Sequence, residues 1–233
     1  MEVVIAAAKT HKYSVSESGD SLEVTDRPKG GISLILADGQ GSGRSARLNS
    51  CMVTASCASM ISEGARDGAA ARAVHDVLYA RRDGKVSAEL LIVSVDLAAN
   101  TLLVSRNISC PVLVLRHGQV TALPGEAGPI GVRRQTKPLI DSLPLASGLT
   151  VVGFSDGIWQ AGRYTGQPWG QAELGMLMQE NPTDPRALAD SILSHALSRD
   201  QGRARDDMSV FALTIRERRT EGKIRTLDIS LPI

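Results

Sequence analysis

Between Ser87 and Leu123, four short apolar runs follow one another almost without interruption. They span Ser87–Asp96, Thr101–Arg106, Pro111–Arg116 and Gln119–Leu123. Ala98-Ala99-Asn100 and His117-Gly118 fill two of the gaps and carry turn chemistry. Connections this short cannot carry a crossover, so these runs predict antiparallel strands. Helical patterns lie in blocks on either side. Arg44–Glu63 is a long alanine- and serine-rich helix, with Ser42 or Ser45 as its cap, and its small side chains suit close packing on a sheet. A second helix runs from Asp67-Gly68 to Asp83-Gly84, and a third starts at Asp184-Pro185 and reaches Leu197. Blocks of helices and antiparallel strands predict an α+β fold with sheet at its centre.

Further strands are expected at residues 2–9, 20–24, 32–37, 149–154 and 206–214. Ile32–Ala37 is nearly all apolar, as a strand buried on both faces must be. Residues 124–148 read as a Pro- and Gly-rich loop, and Gly162–Gly170 as a glycine-rich excursion. Arg216–Glu221 is a charged segment, and Ile224–Ile233 alternates like an added edge strand. Neither an internal repeat nor a linker divides the chain, so 1–233 reads as one domain, with 217–233 as an edge strand or tail.

Composition excludes little but excludes it firmly. The net charge is +1 and aromatic residues make up 3%, so there is neither a global field nor a set of stacking platforms for nucleic acid. The apolar stretch at the N-terminus is too short for a membrane span. The three cysteines Cys51, Cys57 and Cys110 form no CxxC pair and read as reduced core residues, which points to the cytoplasm. His11, His75, His117 and His195 are scattered and read as loop or solvent-facing side chains.

The chemistry concentrates at strand ends. Leu34-Ile35-Leu36-Ala37 runs into Asp38-Gly39, and the strand ending at Phe154 runs into Ser155-Asp156-Gly157. Asp206-Asp207 opens the last strand. A single Asp-Gly is an ordinary turn pair. Two of them directly after apolar strands, and an Asp-Asp directly before one, are harder to explain as turns. Carboxylates gathered at one edge repel one another unless a cation lies among them. Oxygen-only ligation suits magnesium or manganese. The other reading of DGQGSG, a phosphate loop, lacks both GxxxxGK[ST] and the GxGxxG of a dinucleotide fold.

At these residues the chain resembles the metal-dependent protein phosphatases of type 2C, the PPM family. ADGQGSG is similar to its DGHG motif, FSDGIW to its second DG motif, ARDDMSV to its final motif and ESGDS to its first. The long helix after DGQGSG and the segment SCPVLVLRHGQVTAL…GPIGV are most similar to the bacterial SpoIIE-like branch. The resemblance implies an α/β/β/α four-layer sandwich, with two central antiparallel sheets flanked by helices. It also implies two Mn2+ or Mg2+ ions whose bound hydroxide attacks phosphorus in line. By motif position Asp38 bridges both ions, the Gly39 carbonyl binds one, and Asp156 and Asp206 hold the other. These carboxylates are the implied catalytic set. Asp20 and Asp207 stand behind these ligands or join them.

The implied activity is that of a serine/threonine protein phosphatase, with a role in bacterial partner switching or stress signalling. Its substrate would be a phosphorylated regulatory protein, an anti-sigma antagonist or stressosome-type protein. The sequence departs from the family in three places. Gly19 stands where many members carry a metal-binding glutamate, and Ser109 near where some carry an aspartate for a third ion. The N-terminal phosphate-binding arginine has no clear match; Lys9, Lys12, Arg44 and the pair Arg203/Arg205 are candidates, each readable as a solvated surface charge. Gly19 and the missing arginine keep open a second reading, a phosphatase fold that binds a phosphorylated regulatory protein with little turnover. A nucleotide-binding use of the DGQGSG loop is a third.

Overall fold

The structure is a computed structural model, and it describes residues 1–218 and 225–230. In chain order its strands are β1 (Glu2–Thr10), β2 (Asp20–Asp26), β3 (Gly31–Gly39), β4 (Ala88–Asp96), β5 (Thr101–Asn107), β6 (Leu113–Arg116), β7 (Gln119–Ala122), β8 (Leu139–Pro144), β9 (Leu149–Phe154) and β10 (Met208–Arg216). Its helices are α1 (Gly43–Ser62), α2 (Asp67–Arg82), α3 (Asp156–Gln160), α4 (Gln171–Glu180) and α5 (Pro185–Arg199).

The strands form two sheets of five, ordered β1-β10-β9-β6-β7 and β2-β3-β4-β5-β8, and every pairing between these strands is antiparallel. Successive side chains of β3 go to opposite faces. Leu34 and Leu36 join the core shared by the two sheets, whereas Ile35 and Ala37 join a second core under α1 and α2. Val53, Cys57 and Ile61 of α1 fill that second core. Helices α4 and α5 close the outer face of the other sheet, through Leu174, Met178, Leu188 and Ile192. The result is helix, sheet, sheet, helix, as the resemblance implied. A strand such as β10, buried along nearly its whole length, follows from this layering.

The α1/α2 face carries one buried ionic knot. Arg27 donates to Asp67 (2.6 Å) and to Ser33 (3.1 Å), and reaches Asp96 at 3.4 Å. Asp67 opens α2, where a carboxylate also favours the positive end of the helix dipole. Removing it leaves a largely buried guanidinium with only Asp96 as counter-charge. Asp67→Ala is therefore expected to lower stability by about 2–3 kcal/mol, measured by urea unfolding.

Five features differ from the sequence reading. The stretch 124–148 contains β8, an edge strand whose residues alternate between half-buried and exposed, bracketed by Pro138 and Pro144. Proline suits an edge, because no partner needs its missing N–H, and the same prolines read as loop. The segment after the glycine-rich excursion is α4, with Gly175 in its interior and its first turn closed by Gly170 N–H donating to Glu173 (3.1 Å). Strand β6 begins at Leu113, after Pro111. Residues 225–230 form no strand and are exposed; 224 and 231–233 lie outside the described residues. His75 is buried rather than solvent-facing, because its Nδ1 accepts the Gly131 N–H at 3.0 Å.

Candidate metal centre

One row of acidic residues crosses the end of the second sheet. Asp20 on β2 pairs directly with Asp38 on β3, and Asp38 pairs directly with Glu89 on β4. Directly opposed residues of antiparallel strands share a face. Asp38 lies two residues beyond Leu36, so the row faces the space between the sheets, where Leu36 is buried. Asp20 is 0% exposed, and neither carboxylate oxygen has a hydrogen-bond partner. Burial pushes its pKa up to about 7; the hydroxyls of Ser209 and Ser155 oppose this from positions that complete no hydrogen bond, and the charge of Asp207 adds to it. The Asp38 carboxyl is pushed up to about 10, first by burial and then by Asp20, Asp156, Glu89 and Asp206.

The other sheet supplies the facing groups. Strand β9 ends at Phe154, Ser155 occupies the position before α3, and Asp156 is that helix's first residue. The Ser155 hydroxyl cannot cap the helix, because it donates to Asp207 O (3.2 Å) and accepts from Ser209 N–H (2.9 Å). Those bonds bind the end of β9 to the start of β10. Asp156 is pushed up to about 6 by burial and then by Asp206 and Glu89, with smaller opposing effects from Asp38 and the Gly157 backbone. Gln160 Nε2 holds Asp156 Oδ2 at 2.9 Å. Asp206 is the most open member, at 46% side-chain exposure, with Lys12 Nζ 3.9 Å away.

The glycine of each DG pair is required by close backbone approach. A Cβ on Gly39 would lie 2.2 Å from Ala46 O of α1, and one on Gly157 would lie 2.2 Å from Asp207 O. Both distances are far inside van der Waals contact, so a side chain would push each aspartate off its strand end. Gly19 is confined as well, with Ala46 Cβ 2.8 Å from where its Cβ would stand, so no glutamate fits there without displacing α1. A further carboxylate, Glu89, stands beside Asp38 in the β3–β4 register. Its Oε1 is held by Ser109 N–H (2.9 Å) and Oγ–H (2.5 Å), and its Oε2 is buried without a partner. Sequence reading missed Glu89. The available signal was a lone charged residue inside the otherwise apolar stretch Ala88–Val93.

Asp207 does a different job from the other carboxylates. It accepts from the backbone N–H of Lys12 (2.9 Å) and Gly19 (2.8 Å), so it ties the β1–β2 connection to the start of β10. With both oxygens committed, it is a clamp. Asp207→Ala strands a buried N–H at Gly19, and about 2 kcal/mol of stability is expected to be lost, read as a fall in urea midpoint. Lys9, one of the candidate phosphate binders, is also committed: its ammonium donates to Asp20 O at 3.0 Å.

The sequence-predicted residues Asp20, Asp38, Gly39, Asp156, Asp206 and Asp207 are thus brought to one end of the sandwich. Among the described residues no three His, Cys, Asp or Glu side chains are grouped closely enough to hold a metal ion as they stand. The donor set nevertheless fits a hard divalent cation: it is all oxygen, and the unpartnered oxygens of Asp20 and Glu89 and the mutual repulsion on Asp38 are what a cation would relieve.

Comparison with known proteins agrees with this architecture. The chain is 22% identical over 195 residues to stage II sporulation protein E of Priestia megaterium, covering 83% of this chain and 33% of that protein. It therefore spans about a third of the length of that relative. The PP2C phosphatase domain with a regulatory-domain fragment of SpoIIE from Bacillus subtilis superposes with a TM-score of 0.78 at 22% identity, over 92% of this chain and 64% of that one. RsbX in complex with magnesium superposes with a TM-score of 0.71 at 13% identity, over 91% and 94%. These superpositions show a shared fold. The model of the Stage II sporulation protein E (SpoIIE) family matches residues 28–216, from the turn after β2 to the end of β10, and the chain belongs to that family.

Proposed function

We propose that this protein is a divalent-metal-dependent phosphoserine/phosphothreonine protein phosphatase. The observation that carries this reading is the convergence of Asp20, Asp38 and Glu89 from one sheet with Asp156 and Asp206 from the other, in a chain of the SpoIIE family. Asp38, the Gly39 carbonyl, Asp156 and Asp206 would hold two Mg2+ or Mn2+ ions, with Asp20 and Glu89 adding negative charge behind them. Bound ions of this kind acidify water and neutralise phosphoryl oxygens. The chain's own residues prepare the place: Gln160 orients Asp156, Asp207 fixes the β1–β2 connection, and Ser155 locks the two strands that carry Asp156 and Asp206. No protein nucleophile is required, and buried Cys57 and Cys110, whose thiols are pushed up by burial, offer none.

The substrate in this reading is a phosphorylated regulatory protein, of the anti-sigma-antagonist or stressosome type, in bacterial partner switching. The likeness to SpoIIE proteins supports it, and RsbX bound to magnesium supports the choice of metal. A cytoplasmic site of action goes with three free thiols. Purified protein is expected to hydrolyse p-nitrophenyl phosphate and a phosphoserine peptide when manganese or magnesium is supplied, and to stop when EDTA is added. Phosphopeptide binding without turnover at saturating manganese would identify a binding module instead.

A further inference from the structure

Among the described residues, two arginines beside the carboxylate centre, Arg203 and Arg205, form no ion pair. Both are exposed. Each instead lies over an exposed tyrosine ring. Arg203 Cζ is 5.0 Å from the Tyr13 ring centre, and Arg205 Cζ is 5.7 Å from that of Tyr164. Tyr13 is 65% exposed and Tyr164 77%, in a chain with only three tyrosines. Stacking steadies a guanidinium while leaving its N–H fork free for an incoming anion.

The platform beneath them is built. Asp200, 3% exposed, accepts from Arg205 N–H (3.0 Å) and Gly162 N–H (2.9 Å), so one buried carboxylate joins the loop before Asp206 to the turn that carries Tyr164. Thr165 Oγ donates to Arg199 O (2.7 Å) across the same junction. Tyr13 N–H donates to Ala204 O (2.9 Å), and Ala204 is buried between the two outward arginines. Position follows from connectivity: Arg205 precedes Asp206, and Tyr13 follows Lys12, whose backbone Asp207 holds.

We propose that Arg203 and Arg205, propped by Tyr13 and Tyr164, dock the acidic residues flanking the phosphoserine or phosphothreonine of the protein substrate. The inference rests on the phosphatase reading for its substrate class. Two unpaired, pre-oriented guanidiniums beside the centre match carboxylates on a polypeptide. A nucleic acid is the poorer fit, because a net charge of +1 and 3% aromatic residues supply neither a continuous basic field nor stacking platforms for it.

The test uses the whole chain with magnesium or manganese and two substrates, a glutamate-flanked phosphoserine peptide and p-nitrophenyl phosphate. In R203E/R205E, kcat/KM on the peptide is expected to fall about tenfold further than on p-nitrophenyl phosphate, mainly through KM, with a flatter salt dependence. Tyr164→Ala is expected to lower peptide kcat/KM about threefold and Tyr164→Phe to preserve it. Equal losses on both substrates, or none on the peptide, would overturn the proposal. Binding of a labelled peptide, followed by fluorescence anisotropy, separates this proposal from the phosphatase reading. If wild-type protein binds the peptide without turnover and R203E/R205E loses that binding, docking stands and the phosphatase reading fails. If binding is unaffected by R203E/R205E, or single-stranded DNA competes for it as well as the acidic peptide does, docking fails.

Discussion

Asp38→Asn is expected to abolish metal-dependent phosphate release and, at about pH 8, to raise the melting temperature of the metal-free protein. The two effects share one cause. Asp38 sits in a row with Asp20 and Glu89 and faces Asp156 and Asp206, so its charge is opposed by burial and by four other carboxylates. That placement makes it the natural bridge for cations and a poor resident without them. Losing it should cut kcat by about 10³-fold or more, since charge stabilisation at the phosphoryl group goes with the ion it holds. The amide keeps the volume. It removes the need to take up a proton on folding at a pH where the unfolded chain would leave the carboxylate charged. A gain of about 1–3 kcal/mol follows, or several degrees for a chain of this size, and it should fade towards pH 4. Calorimetry in EDTA at both pH values, alongside phosphate release in manganese, checks both halves. Retained turnover would refute Asp38 as the metal bridge, and a lower melting temperature at pH 8 would refute the account of its burial.

What could be read from the chain was what local pattern dictates. Strand β3 declares itself because it is apolar on both faces, and Asp38 declares itself because a charge at the end of such a strand needs a reason. The same logic found Asp156 and Asp206. Asp184 was legible as a helix cap, and its carboxylate does accept from the N–H groups of Arg186 and Ala187. What escaped depends on pairing across strands. Glu89 matters because the β3–β4 register sets it against Asp38, and no local pattern states a register. Asp207 was legible as standing behind the ligands or joining them, but the groups it holds were not: both its oxygens are taken by N–H groups some 190 residues away in sequence, at Lys12 and Gly19. Gly19 read as a lost ligand. The structure gives it a positive reason, since α1 comes so close at Ala46 that a side chain has no room. Strand β8 was hidden because an edge strand half open to water alternates weakly and tolerates the prolines that mark loops.

The metal-free protein is expected to lose stability as pH rises from about 5 to 8, and added magnesium or manganese to reverse that loss. Asp156, Asp20 and Asp38 are raised in the folded state to about 6, about 7 and about 10, from an ordinary value of 3.8. Above pH 4 the unfolded chain has released these protons while the folded chain still holds them. The folded state then binds more protons than the unfolded one, so unfolding free energy falls with rising pH. The fall begins near pH 4, loses the Asp156 contribution near pH 6 and the Asp20 contribution near pH 7, and continues through Asp38 alone at higher pH. Because the three carboxyls interact, their contributions do not add fully; the total between pH 5 and 8 is on the order of a few kcal/mol, or about 5–15 °C in melting temperature. A divalent ion binds the deprotonated forms, so its affinity rises over the same range. At about a hundredfold excess over Kd it returns about 2.7 kcal/mol. The metal-induced rise in melting temperature should therefore be small at pH 5 and large at pH 8. A metal-free melting temperature that is flat or rising across this range would show that the carboxylates are not held together as described. A metal shift equal at both pH values would show that the ion binds away from Asp20, Asp38 and Asp156.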